Sequence, residues 1–154
     1  MEIRRIFDTN DSEIVALVAK SDEYLSSLYP PESNHAEPLE ALIAADSAFF
    51  VGYIEDVPVA CGGIVLLNDD ICFGEIKRVF VERKHRGKRL ATAVIQHLED
   101  YLLQKGITVI RLEAGPLQPA ALGLYRRLGY RECGPFGKYS LDPLSVFMEK
   151  ELEV

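Results

Sequence analysis

The sequence predicts an α/β (α+β) fold: a mixed central sheet of about seven strands with helices on both faces. Three observations carry this. Three strand-like segments follow one another from Ala48 to Val81, joined by short polar connections of the kind that close antiparallel hairpins. The clearest amphipathic helix comes directly after them, from Leu90 to Lys105. A strand, a short helix and two further strands complete the chain. The order β-α-α-β-β-β-α-β-α-β-β suits a sheet of mixed direction better than a doubly wound parallel one.

Each element has its own grounds. Glu2 to Phe7 reads as a first strand. Asn10, with Glu13 three residues on, is a capping-box variant. Ile14, Leu17, Val18, Leu25 and Leu28 then recur at helical spacing, predicting a helix to about Ser27. Tyr29 to His35 holds two successive prolines and must be a loop. A short helix is expected from Pro38 to Ala45. The three strands are Ala48–Ile54, Pro58–Leu67 and Ile71–Val81, separated by Glu55-Asp56 and Asn68-Asp69-Asp70. In the strong helix, Leu90, Val94, Leu98, Tyr101 and Leu102 share a face, and Gly106 stops it. Val109–Ala114 is a strand. Pro119 opens a helix that Gly129 closes, and Tyr130–Cys133 and Ser145–Leu152 are the last strands.

The 154 residues are expected to form one domain, 1–154. A hydrophobic fraction of 48% with 27% charged residues is ordinary for a globular chain and excludes wholesale disorder. A net charge of −7 argues against broad nucleic-acid binding, though one basic loop can still hold a small anion. Cys61, Cys72 and Cys133 are well separated and odd in number, so all three are expected as buried, reduced thiols. No C-x-x-C or Cys/His cluster suggests a metal. Met1 to Phe7 reads as neither signal peptide nor anchor, and no apolar run reaches the ~18 residues of a membrane span. The expectation is a cytoplasmic protein without a membrane partner.

The most informative stretch runs from Glu75 to Thr92, where a strand enters a basic, glycine-containing turn and a helix follows. The first turn of a helix offers unpaired N–H groups and the positive end of the dipole, which together bind anions. Gly87 permits close approach of the backbone, and Arg83, Lys84, Arg86, Lys88 and Arg89 add positive charge. By itself this is either an anion site or a solvated basic turn.

Here the chain resembles a known family. Arg86-Gly87-Lys88-Arg89-Leu90-Ala91 is similar to the Gln/Arg-x-x-Gly-x-Gly/Ala signature of the GNAT N-acetyltransferases, with Arg89 standing where the family has its middle glycine. Leu112 to Tyr130 resembles the GNAT segment in which an Asn precedes a helix ending Leu-Tyr-x-x-x-Gly-Phe/Tyr, with Gln118 in place of the Asn. Gly134–Tyr139 and Asp142–Phe147 look like a small bacterial GNAT subgroup.

The resemblance implies an N-acetyltransferase that uses acetyl-CoA, without a metal, to acetylate a primary amine on a small molecule, an amino acid or a protein. It implies that Val79, Phe80 and Val81 meet the pantetheine arm and the thioester carbonyl, the amide of Val79 or Phe80 facing the oxyanion. Arg86, Gly87, Lys88, Arg89, Leu90, Ala91 and Thr92 would hold the pyrophosphate, with Gln118, Ala121 and Tyr125 completing the cofactor site. Tyr125 matches the tyrosine that reprotonates the thiolate. An alkyl amine of pKa ~10.4 also needs a base. Glu75, on the strand of the oxyanion amide, is the first candidate and Glu113, on the neighbouring strand, the second. The acceptor is expected between the polar loop bearing Tyr29, Glu32, Ser33, Asn34 and His35 and a wall of Phe136, Gly137, Lys138 and Tyr139. An acidic protein suits a cationic amine, whereas Lys77, Arg78 and Lys138 suit a substrate carboxylate; charge alone does not choose. The alternative reading is a non-catalytic acyl-CoA-binding sensor or regulatory module. A P-loop is disfavoured, since no Gly-x-x-x-x-Gly-Lys-Ser/Thr occurs. GNAT proteins are often homodimers, but no local feature specifies an interface.

Overall fold

The structure is a computed structural model that describes residues 1–154. Its elements are β1 (Glu2–Ile6), α1 (Ser12–Leu28), α2 (Leu39–Leu42), β2 (Ser47–Ile54), β3 (Val57–Asn68), β4 (Cys72–Val81), α3 (Leu90–Gln104), β5 (Val109–Ala114), α4 (Pro119–Arg127), β6 (Arg131–Cys133) and β7 (Val146–Glu151). Two short 3₁₀ turns, Pro31–Ser33 and Arg83–His85, lie in loops without apolar periodicity. The seven strands form one sheet in the order β1-β2-β3-β4-β5-β7-β6. Every neighbouring pair is antiparallel except β4 and β5, which are parallel.

Helices cover both faces, as expected. α3 and α4 bury Val94, Ile95, Leu98, Leu102, Leu122 and Tyr125 against one face, over Ile64, Ile76, Ile110 and Leu112. α1 and α2 bury Ile14, Leu17, Val18, Leu39 and Leu42 against the other, over Phe49, Val51 and Cys61. A third cluster, Phe73, Phe136 and Phe147, sits under the segment between β6 and β7. With both faces covered, β2 and β3 are apolar almost continuously rather than alternating.

Three local expectations need correction. Asp11, not Asn10, caps α1: its carboxylate accepts from the N–H groups of Glu13 at 2.9 Å and Ile14 at 3.4 Å. Asn10 stands one residue too early and instead donates its own N–H to Asp8. α2 is a single turn, because residues 43–46 turn back toward the sheet and the Asp46 carbonyl accepts from Leu66 N–H at 2.7 Å. Of the cysteines only Cys61 is buried; Cys72 is exposed and Cys133 lies between.

Candidate active site

β4 is paired on both sides only along its first half. Its parallel register with β5 runs from Gly74–Ile110 to Ile76–Leu112 and then stops. On the other side the register with β3 slips between Cys61 and Gly63, which face Phe80 and Lys77. One extra residue on β4 is the cause, and Arg78 takes a left-handed φ of 55° there. The bulge changes which face the following side chains meet. Lys77 and Arg78 both point to the α1 face, while Val79 packs into the α3 core. Arg78 and Val79 therefore have no strand partner on either side, and the sheet is open beside them.

A cavity of about 120 Å³ occupies this opening. Val79, Glu113, Gln118, Ala121 and Tyr125 line it on the side of β5 and α4. Tyr29, Ser33, Asn34 and His35 line it on the side of α1, with Lys77 and Arg78 between. The two sides are stitched together by Tyr29. Its hydroxyl donates to Gln118 Oε1 at 3.2 Å and accepts from the Leu117 N–H at 3.1 Å. Gly115 is obligatory beneath it, since a Cβ there would lie 1.7 Å from that hydroxyl.

Glu75 and Glu113 reach the same face from adjacent strands but meet different surroundings. Glu75 is buried, with 5% of its side chain exposed, and one of its oxygens is doubly engaged. Its Oε2 pairs with Lys77 Nζ at 3.1 Å and accepts from the Tyr139 hydroxyl at 2.6 Å. It does not line the cavity. Glu113 does, and there its Oε2 accepts from the Ser145 hydroxyl at 2.8 Å. Burial raises the Glu113 carboxyl above its ordinary value, and Glu75 adds to this; Ser145, His35 and Lys77 oppose it. The Tyr125 phenol lines the cavity, stacks edge-on against Tyr130 at 5.4 Å, and is pushed up by burial alone.

The remaining residues singled out from sequence separate clearly. Glu32 is exposed and outside the cavity. Phe136 is buried in the aromatic cluster with Phe73 and Phe147, and so forms core rather than wall. Tyr139 stands behind the cavity, its hydroxyl held between Glu75 and Lys77. Lys138 is exposed. Ser145 and Leu144, not foreseen from sequence, enter from the segment before β7; nothing in their local sequence marks them.

Next to the opening, the turn into α3 has the form of an anion site. Gly87 takes φ 80°, and a Cβ there would meet nothing within 4 Å. Arg89 is the N-cap of α3 in the left-handed region, φ 61° and ψ 26°. That conformation explains a glycine preference at this place, and Arg89 adopts it as a non-glycine residue. No side chain caps α3, so its first-turn N–H groups face outward. The Arg86 side chain turns away from the turn. Its Nε donates to the Val81 carbonyl at 3.2 Å, and its guanidinium lies 5.3 Å from the Tyr24 ring.

A sheet that opens at a bulged strand beside an uncapped, glycine-led helix start defines a cradle for an extended ligand with a phosphate end. Residues 14–130 match the model of the acetyltransferase (GNAT) family, and the chain belongs to that family. It is 39% identical to an IAA acetyltransferase of Azospirillum brasilense, over 90% of this chain and 90% of that one. It is 34% identical to a candidate acyl-CoA N-acyltransferase of Klebsiella pneumoniae of known structure, covering 99% and 97% of the two chains with a TM-score of 0.79. The PaiA N-acetyltransferase of Thermoplasma acidophilum, solved with coenzyme A, shares the fold at 14% identity, covering 98% and 99% of the two chains with a TM-score of 0.70.

Proposed function

We propose that this chain is an acetyl-CoA-dependent N-acetyltransferase acting on a primary amine. The observation that carries the reading is the meeting of three groups at one cavity. They are Val79 on the unpaired stretch of β4, Glu113 with its raised proton affinity, and Tyr125 with no hydrogen-bonding partner. The residues present fit an acyl-CoA. Uncapped α3 amides and open space at Gly87 suit the pyrophosphate, and the unpaired β4 edge suits a pantetheine arm added as a further strand. The coenzyme A found in the Thermoplasma neighbour agrees with this. When bound, acetyl-CoA supplies the activated acetyl group as a thioester.

The chain's own residues then divide the work. The Val79 N–H, free of the ladder, is placed to stabilise negative charge on a carbonyl oxygen, an effect worth ~3 kcal/mol in general. Glu113 is the base. It lines the cavity, keeps one carboxylate oxygen free, and burial strengthens its hold on a proton. Glu75 ranks behind it, because it does not line the cavity and its Oε2 is held by Lys77 and Tyr139. Tyr125 stays protonated at neutral pH and serves as the acid for the departing thiolate.

The test is thermal unfolding with and without acetyl-CoA, followed by an amine panel read as free thiol. Stabilisation with amine-dependent thiol release is expected. Stabilisation without release on any amine would favour a sensing module, and no stabilisation would remove the cofactor reading itself.

A further inference from the structure

The charges of the two cations at the cavity are already matched by carboxylates: Lys77 by Glu75 and Arg78 by Asp22. An ammonium has three N–H donors and no more. Those of Lys77 go to Glu75 Oε2 at 3.1 Å, the Tyr139 hydroxyl at 2.6 Å and the His35 carbonyl at 3.2 Å. Arg78 is turned toward α1, where it pairs with Asp22 at 2.8 Å and donates to Ser21 Oγ at 3.0 Å. Its Nε donates to the Glu37 carbonyl. Lys138 is exposed and does not reach the cavity.

The carboxylates are not matched in the same way. Lys77 with Glu75, and Arg78 with Asp22, cancel as pairs. Glu113 remains, with one oxygen unclaimed, and the Glu37 carboxylate stands 3.9 Å from the already neutralised Lys77. His35 is the one cation-capable side chain left; it lines the cavity and packs edge-on against Tyr139 at 5.1 Å. A second carboxylate brought into this space would find the Lys77 ammonium fully donated and the Arg78 guanidinium already paired with Asp22 and turned toward α1, and would face Glu113. With His35 as the one cation-capable side chain left to meet it, burying a second anion beside Glu113 is unfavourable. It would also raise the Glu113 proton affinity further and blunt that residue as a base.

We propose that the acceptor is an amine with no carboxylate beside its amino group: a simple amine or an amino-acid amide, not a free amino acid. The proposal rests on the reading of this cavity as the acceptor site. Within it, Lys77 is a structural clamp that fixes Glu75, Tyr139 and the His35 loop, and its charge is withheld from the ligand.

Two matched series test this: alanine, alaninamide and ethylamine; and phenylalanine, phenylalaninamide and phenethylamine. Each is measured for kcat/KM by thiol release and for affinity to the coenzyme A complex by calorimetry. The amide and amine are expected to exceed the acid by at least about tenfold in both readouts. Glu75→Gln removes the closer of the two carboxylates at Lys77, leaving only Glu37 at 3.9 Å, and Tyr139→Phe frees one of the Lys77 donors. Each is expected to narrow the gap by about tenfold, chiefly through KM of the acid. Tyr139→Phe, which keeps the ring in its aromatic packing, guards against a Glu75→Gln variant that fails to fold. Equal use of acid and amide by the unaltered enzyme would overturn the proposal, as would an unchanged ratio in a folded variant. Absence of turnover with a preserved binding order would sink the acetyltransfer reading and leave the selectivity standing. Absence of acceptor binding would sink both.

Discussion

Replacing Tyr125 by Phe separates a catalytic role from a structural one. The ring packs edge-on against Tyr130 at 5.4 Å and belongs to the core over α3 and α4; phenylalanine keeps all of this. The oxygen is different. Burial alone perturbs the phenol, with no hydrogen bond contributing. Its removal breaks no interaction within the protein and takes away a poorly solvated polar group. The change in unfolding free energy is therefore expected between zero and a gain of about 1 kcal/mol. If the hydroxyl supplies a proton during the reaction, turnover falls by about 10²- to 10⁴-fold. Acetyl-CoA affinity, which we assign to the α3 turn and the β4 edge, is then expected to stay within about twofold. The measurements are thermal unfolding, calorimetric titration with acetyl-CoA, and single-turnover thiol release, where chemistry is observed directly. Unchanged single-turnover rates would refute the acid role. A loss of activity that tracks a loss of stability would show that the hydroxyl holds structure instead.

Three further outcomes are expected. Glu113→Gln removes the acid limb of the pH–rate profile, which in the unaltered enzyme lies above the ordinary carboxylate value of 4.5 because burial raises it. The sign for stability is the opposite of the usual carboxylate: the contribution of protonated Glu113 is present at low pH and is lost as pH rises through its raised pKa, so the Gln variant gains on the unaltered protein in that window. Gly115→Ala drives a methyl group into the Tyr29 hydroxyl, at 1.7 Å, and lowers stability by about 1–3 kcal/mol in thermal unfolding; adding Tyr29→Ala makes the combined loss less than the sum. Arg89→Gly relieves a left-handed residue but loosens the unfolded chain, so stability shifts by under about 1 kcal/mol and coenzyme A binding persists, whereas Arg89→Val, β-branched at φ 61°, weakens both.

Much of the fold was legible because the signals are local. The hairpins announce themselves by Glu55-Asp56 and Asn68-Asp69-Asp70, and the α3 stripe by its spacing. Asn10 misled because it has the right chemistry one position from the true cap, and cap choice depends on where the first turn begins. Arg89 stood out as a departure in a glycine position, and its left-handed φ supplies the reason. The ranking of the two carboxylates was not legible. Glu75 and Glu113 lie on adjacent parallel strands, and both project to one face. What separates them is Tyr139, 64 residues beyond Glu75, and Ser145, 32 residues beyond Glu113. Likewise no sequence rule joins Tyr29 to Gly115, although their contact sets how closely α1 approaches the β5–α4 loop.

The strand order carries a consequence for how this protein comes into being. β7 follows β6 in the chain yet lies between β5 and β6. During synthesis β5 has no neighbour on its outer edge until the segment ending at Glu151 has emerged, and Glu113 has no Phe147 opposite it. A nascent chain that already holds β1 to β6, α3 and α4 still lacks the strand that pairs with β5 beside Glu113. Competence therefore arrives in one late step, and partial chains should be idle and sticky along β5, the kind of species that chaperones retain.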